Sequence, residues 1–406
     1  MSDVIEQFVK AVDDTATTIR DEYQHSPCVV LHHNDADGIA SGAILSAAFA
    51  RLNMRVARYC LEKPFPEVVR RILEDRDERL FVVTDFGSGV ISQFVHLLPA
   101  DGKLLLLDHH QVEEVWEKSH DQRSSRVFLL NPLTLGMNGA RAVSAAAVCA
   151  LFAEALSPDN RDLTWLGVLG WLGDGHRDEG LNRVVSDRAV EEGSLFRDSK
   201  GVFMKGEYPL TSIVDGVNAL GAFNYNRGGP DFALKGLLSG EIRGMLHLAE
   251  KARDRYAEVV WGDEGIVLQH HPTAPIQWFS LGDSCSDFGV KTVGLVCEDL
   301  IAQGRVDPDR YLVGFQRVPN AIPGIGPVPL NQVKVSMRLP SGIAAQVFAG
   351  AAAPLTELLP LVARPMGGLV DGCHPHAAAV SIGIGREEEL IGLLADLLAT
   401  PFGKRG

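Results

Sequence analysis

Four short stretches of this sequence combine carboxylates and imidazoles in the way that divalent cations are held: "HNDADG" (33–38), "TDFGSG" (84–89), "LDHH" (107–110) and "LGDG" (172–175). Together they supply Asp35, Asp37, Asp85, Asp108 and Asp174 with His33, His109 and His110. Gathered at one place, these carboxylates could not all stay ionised unaided. A like-charge pair at about 4 Å costs roughly 1 kcal/mol in water and about 4 kcal/mol at an effective dielectric of 20. Either some of them protonate or cations sit between them. Two divalent ions would offset four carboxylates, and mixed Asp/His ligation suits Mn²⁺, with Mg²⁺ or Zn²⁺ as alternatives. A pair of ions about 3.5 to 4 Å apart makes a nucleophile from water at neutral pH and binds phosphoryl oxygens. The chemistry implied is metal-assisted hydrolysis of a phosphate ester or anhydride.

Each of these stretches needs an element to position it. "CVVLHH" (28–33), "MRVARYC" (54–60), "RLFVVTDF" (79–86) and "GKLLLLDHH" (102–110) read as strands, three of them with Asp or His in the last two residues. Between them, 38–52 and 67–76 have helical spacing, as does the N-terminal 2–23. Strand, polar tip and helix in alternation are the βαβ pattern of a parallel sheet, and ligands bind outside the carboxyl ends of such strands. An Ala-rich helix follows at 141–156, then the apolar stretch 163–176, in which Trp165 and Trp171 are expected in the core. A long amphipathic helix at 241–261 precedes a change in composition, where strands and one helix of a smaller α/β unit are expected. The expected organisation is therefore a domain at 1–240, a linker helix at 241–262 and a second domain at 263–406. Aspartates at βα turns also cap helices, but capping does not account for the paired histidines.

In that order, "DADG", the lone strand-end Asp85, "DHH" and "GD" resemble the four N-terminal motifs of the DHH phosphoesterase superfamily. "DGCHPHAAA" (371–379) resembles the glycine-rich motif of the associated DHHA1 domain, and "KVSMR" (334–338) its preceding strand. The resemblance covers nearly the whole chain. It implies a parallel-sheet DHH domain joined by a long helix to a smaller α/β DHHA1 domain, with the active site in the interdomain cleft. It also implies that Asp35 and Asp37 bind different metals, that Asp85 bridges them, and that His109 and Asp174 complete the second site. For the histidine of the first site the chain offers His32 and His33; alternation along a strand puts His33 with Asp35 and favours it. Asp108 is expected to orient His109 through its second ring nitrogen, and His110 to face the substrate phosphate as a charge stabiliser or proton donor. Asn131 in "LNP", Arg338, Gly372 and His374 are the expected substrate contacts. Asp371, Cys373 and Ala379 stand where the motif has glycines, which weakens that turn as an anion site. His176, two residues after Asp174, is either near the cleft or, as the favoured expectation, a solvated loop residue; Cys149 and the His270–His271 pair are expected as structural.

The "HNDADGIASGAIL" version of the first motif is most like the RecJ-type nuclease branch. The expected activity is a metal-dependent phosphodiesterase that releases mononucleotides from single-stranded or short oligonucleotides. Alternatives are a small-molecule phosphoesterase acting on pAp or cyclic dinucleotides, and a binding protein with a decayed site. The net charge of −14 over 406 residues argues against non-specific grip on duplex DNA. An extra oligonucleotide-binding domain is not expected within these residues, so grip on a long strand is expected to rest on the cleft. Scattered cysteines, without any CxxC pair, suit reduced thiols in a cytoplasm. No apolar run of about 18 residues suggests a membrane span, and a homodimer is compatible with the sequence.

Overall fold

The computed structural model describes residues 2–74, 76–118, 125–262 and 265–399. The chain divides into two compact units, Met1–Ala252 with Ile322–Gly326, and Arg253–Ala321 with Pro327–Gly406.

In the first unit, helix α1 (Ser2–Tyr23) leads into β1 (Cys28–His32), α2 (Ala36–Arg51), β2 (Val56–Cys60), α3 (Pro66–Leu73), β3 (Leu80–Thr84), α4 (Ile91–Leu97), β4 (Lys103–Leu107), α5 (Glu114–Lys118) and β5 (Val127–Leu130). The strands form one sheet in the order β2-β1-β3-β4-β5, every pairing parallel. β5, which carries Asn131 at its end, was not anticipated as a strand; its four residues are too few to show a period. Because both faces are covered, β1 and β3 are buried along their whole length, and so they read as unbroken apolar runs rather than alternating ones. Val30, Val82, Leu105 and Leu107 enter the main core. That core also takes residues of α1, α2, α6 (Ala145–Leu156) and α7 (Thr164–Gly173).

The order of the strands reverses at β1, with β2 on one side and β3 on the other. A crevice therefore opens beyond the carboxyl ends of β1 and β3, where the connections leave in opposite directions. α8 (Gly180–Glu191), the short strands β6 (Phe196–Arg197), β7 (Phe203–Lys205) and β8 (Tyr208–Pro209), α9 (Leu210–Phe223) and α10 (Gly229–Ser239) complete this unit. Trp165 and Trp171 are buried, as expected of core residues.

The division between units falls inside α11 (Ile242–Trp261), not at either of its ends. The second unit contains β9 (Gln269–His270), β10 (Ile276–Ser280), α12 (Thr292–Ala302), β11 (Tyr311–Arg317), β14 (Gln332–Arg338), α13 (Ser341–Phe348), α14 (Leu355–Ala363), β15 (Leu369–Cys373), β16 (Ala377–Gly383) and α15 (Glu387–Ala399); the pair β12 (Ala321–Ile322) and β13 (Gly326–Pro327) lies in the Pro/Gly-rich stretch. Its six-stranded sheet runs β15-β16-β14-β11-β10-β9 and is mixed, with β10 and β11 parallel. α14 and α15 cover one face with Leu358, Leu359, Leu390 and Leu394. No described helix of the chain is long and apolar enough to cross a membrane, and no disulfide joins its cysteines.

Candidate metal centre

The carboxyl ends of β1, β3 and β4 and the end of α7 bring the sequence-predicted groups of the first unit together. Asp85 is at the centre. Its Oδ2 is 3.4 Å from His33 Nδ1 and its Oδ1 is 3.5 Å from His109 Nε2, so its two oxygens face two imidazoles on opposite sides. His33 Nδ1 also meets Asp35 Oδ2 at 2.9 Å. His109 Nε2 meets Asp174 Oδ2 at 3.4 Å and Asp37 Oδ2 at 3.7 Å.

The backbone explains why these groups are held rather than loose. Asp35 caps α2 with Oδ1, which accepts from Gly38 N–H, and this leaves Oδ2 for His33. Gly38 is needed for the chain to fold over itself there, because a Cβ on it would lie 2.4 Å from that of His33. Asp37 accepts from the Ala145 and Ala146 N–H groups at 2.8 and 2.9 Å, so it is fixed on the positive end of α6. Asp85 has φ +63°, a left-handed conformation in which aspartate is among the better tolerated residues.

The electrostatics of this cluster favour a cation. Burial is the largest influence lifting the Asp85 pKa well above the carboxylate range, and the charges of Asp35, Asp37 and Asp174 add to it. Asp85 Oδ2 is buried and makes no hydrogen bond, and a buried acceptor left so costs on the order of 1 to 3 kcal/mol. His109 Nδ1 is 2.8 Å from the Gly139 carbonyl, which accepts its proton and leaves the Nε2 lone pair directed at three carboxylates. A carbonyl behind a ring whose other nitrogen faces outward is the usual setting of a metal-bound histidine. Donor atoms of His33, Asp35 and Asp85 lie within 4.8 Å of one another, as do those of Asp85, Asp108, His109 and His110. Oxygen and imidazole donors of this kind fit divalent cations.

Several expectations change. Asp108 does not hold the ring of His109; it accepts from the backbone N–H groups of Ser88 and His109 and pairs with His110 Nδ1 at 2.7 Å. The two rings lie against each other with centroids 4.3 Å apart, but His109 Nδ1 is taken by the Gly139 carbonyl and the ring bonded to Asp108 is the second one. Burial pushes the Asp108 pKa up, but His110 and these hydrogen bonds prevail and hold it well below the carboxylate range. For His110 burial acts downward, and the Asp108 charge and hydrogen bond raise the pKa. The His110 side chain is 53% exposed.

Asn131, expected as a substrate contact, is engaged by its own chain. Buried, it donates to Ser88 Oγ and to the His110 carbonyl, and accepts from Leu133 N–H. These bonds use both of its N–H donors and tie the loops after β3, β4 and β5 together. His32 is fully buried, with Nδ1 bonded to the His33 carbonyl and its pKa lowered to about 4 by burial and Arg58; of the two candidates, only His33 reaches Asp85. His176, expected in solvent, has a side chain only 8% exposed and packs edge-on to His109 with ring centroids 5.4 Å apart. The signal for it was the Gly175 before it, a helix-terminating residue that turns the chain back.

In the second unit, Arg338 pairs with Glu298 at 3.0 Å and donates to Ser336 Oγ at 2.9 Å. The expected glycine-rich turn is instead the strand β15, with Gly372 opposite Ala379 and a register shift between Val370 and Gly372. The turn itself is shorter and later, closed by His374 N–H donating to the Ala377 carbonyl at 2.8 Å. His374 is exposed beside it. Cys149 is buried, and its thiol is pushed up to about 12 by burial, consistent with a structural role.

No family model matches the sequence. An uncharacterised protein of Methanocaldococcus jannaschii is 30% identical over 166 residues, 40% of this chain and 36% of that protein, so the chain matches only about a third of that relative's length. Among solved structures, a DHH domain from a protein assigned to a family of ribosomal proteins superposes with a TM-score of 0.64 at 16% identity, over 99% of this chain and 93% of that one. A crystal structure of exonuclease RecJ bound to manganese superposes with a TM-score of 0.62 at 17% identity, over 97% of this chain and 95% of that one. The chain has the fold of these DHH-domain and RecJ structures, and its carboxylates and imidazoles gather at the strand ends of that fold.

Proposed function

We propose that the protein is a DHH-superfamily phosphoesterase that uses two divalent cations, Mn²⁺ or Mg²⁺, to hydrolyse the phosphodiester bonds of single-stranded or short oligonucleotides. The carrying observation is Asp85, a buried carboxylate whose two oxygens face His33 and His109. His33, Asp35 and Asp85 would hold one cation; Asp37, Asp85, His109 and Asp174 would hold the other. Bound there, the cations supply a nucleophile from water at neutral pH and offset the charge of a phosphoryl group. The ring of His110 is kept by Asp108 with its Nδ1 inward, which leaves Nε2 to donate to a phosphate oxygen or a leaving oxygen. Asn131 holds the backbone of His110. The likeness to a manganese-bound RecJ exonuclease supports the reaction class. The net charge of −14 favours short substrates over long polyanions, which keeps pAp and dinucleotides as the second reading.

The test is hydrolysis in Mn²⁺ of an end-labelled trinucleotide, a long single strand of DNA and of RNA, pAp and cyclic di-AMP. Release of mononucleotides from the strands supports the first reading. Turnover confined to pAp or dinucleotides supports the second. Hydrolysis of none of them, with purified protein that binds Mn²⁺, would overturn both.

A further inference from the structure

The last residue of "LGDGH" (172–176) has no part in the roles above. α7 ends in a paired hydrogen-bond motif: Gly175 N–H donates to the Leu172 carbonyl at 3.1 Å and His176 N–H to the Trp171 carbonyl at 3.0 Å. Gly175 sits at φ +67°, the left-handed position this motif requires. The chain doubles back, and the His176 ring comes to lie beside Asp174, with Nδ1 3.8 Å from Asp174 Oδ2.

Three features of this ring point to a ligand. Its side chain is more than nine-tenths buried. Its Nδ1 makes no hydrogen bond. Its Nδ1 faces Asp174 Oδ2 from beyond hydrogen-bond reach, so in the tautomer with its proton on Nε2 the Nδ1 lone pair points at a carboxylate oxygen. Two acceptors facing each other in a buried place are unfavourable unless a cation lies between them. Donor atoms of His109, Asp174 and His176 lie within 4.8 Å of one another, close enough to surround one ion.

We propose that His176 is a further nitrogen ligand of the second cation, binding through Nδ1, and that it biases this position toward Mn²⁺ and other transition metals over Mg²⁺. The bias follows from the preference of imidazole for transition metals and of Mg²⁺ for oxygen. The inference rests on the two-cation reading above.

The test is calorimetric titration of the metal-free full chain with MnCl₂ and with MgCl₂, for the wild type, His176→Ala and His176→Gln. The wild type is expected to bind two Mn²⁺. Each variant should keep one site at wild-type affinity and weaken the other about tenfold or more, with a smaller change for Mg²⁺. Melting curves of the metal-free proteins verify folding, and the Gln variant carries the test if Ala melts early. Spin-echo modulation of Mn²⁺ in the wild type needs no variant: imidazole nitrogens from three histidines support the assignment, and nitrogens from two overturn it. Two sites of unchanged affinity in a folded variant would also overturn it. If the wild type binds no Mn²⁺, the two-cation reading itself fails.

Discussion

The loops above the first sheet and the strand end that carries Arg338 in the second unit both gather charged side chains, but they satisfy them differently. In the first, Asp85 Oδ2 and His176 Nδ1 are buried without a hydrogen bond, and the Asp85 carboxyl is pushed toward its neutral form. In the second, Arg338 is matched by Glu298, Ser336 Oγ and the Met337 carbonyl. Groups already satisfied by their own chain hold the fold together. Groups buried at a cost need something the chain does not supply, and such sites are where function concentrates. Arg338 is engaged by its own chain, whereas the first unit holds the groups buried at a cost.

The largest effect is expected at the centre of the cluster. Asp85→Asn should lower kcat/KM on the order of a thousandfold, the scale of losing a principal electrostatic group. The same variant should make the metal-free protein more stable at neutral pH. Since the Asp85 pKa is raised by folding, its favourable contribution is complete below about pH 4, the unfolded value, and is lost as pH rises through the folded one. Melts of metal-free wild type and Asp85→Asn should therefore diverge at pH 7 and converge toward pH 4. A variant less stable than wild type at pH 7 would break the contrast between the two regions.

Next in size is Asp108→Asn, which removes the charge that raises the His110 pKa. Rates should fall about a hundredfold, as for impaired acid–base catalysis, and the alkaline limb of the pH–rate profile should move to lower pH. A profile that keeps its shape would remove His110 from the reaction. Arg338→Ala should be smaller still. Loss of its ion pair with Glu298 predicts less than about a tenfold change in KM and a stability loss within roughly 1 kcal/mol, since Glu298 is half exposed. A large rise in KM would place substrate binding in the second unit as well. The mildest is Gly175→Ala, expected to cost about 1 kcal/mol by unfolding measurements, because alanine resists a positive φ.

Much of this centre was legible because the physics of a buried parallel strand is simple. Apolar runs ending in Asp or His at 33, 85 and 108–109 could only be strand tips, and parallel tips converge. What was not legible depended on side-chain direction within loops. "DHH" does not say which ring Asp108 reaches, and "LNP" does not say whether the Asn131 amide faces inward. His176 was misplaced because the Gly175 turn that buries it is set by two backbone hydrogen bonds, not by a hydrophobic pattern. The turn expected around Gly372 became a strand because Ala377–Gly383 offered a pairing edge, a long-range partner that local composition does not reveal.

The most direct test is anomalous diffraction from crystals of the full chain grown with Mn²⁺. The account predicts two peaks about 3.5 to 4 Å apart, one among His33, Asp35 and Asp85 and the other among Asp85, His109 and Asp174. No peak at Asp85, or peaks only at surface carboxylates, would contradict it.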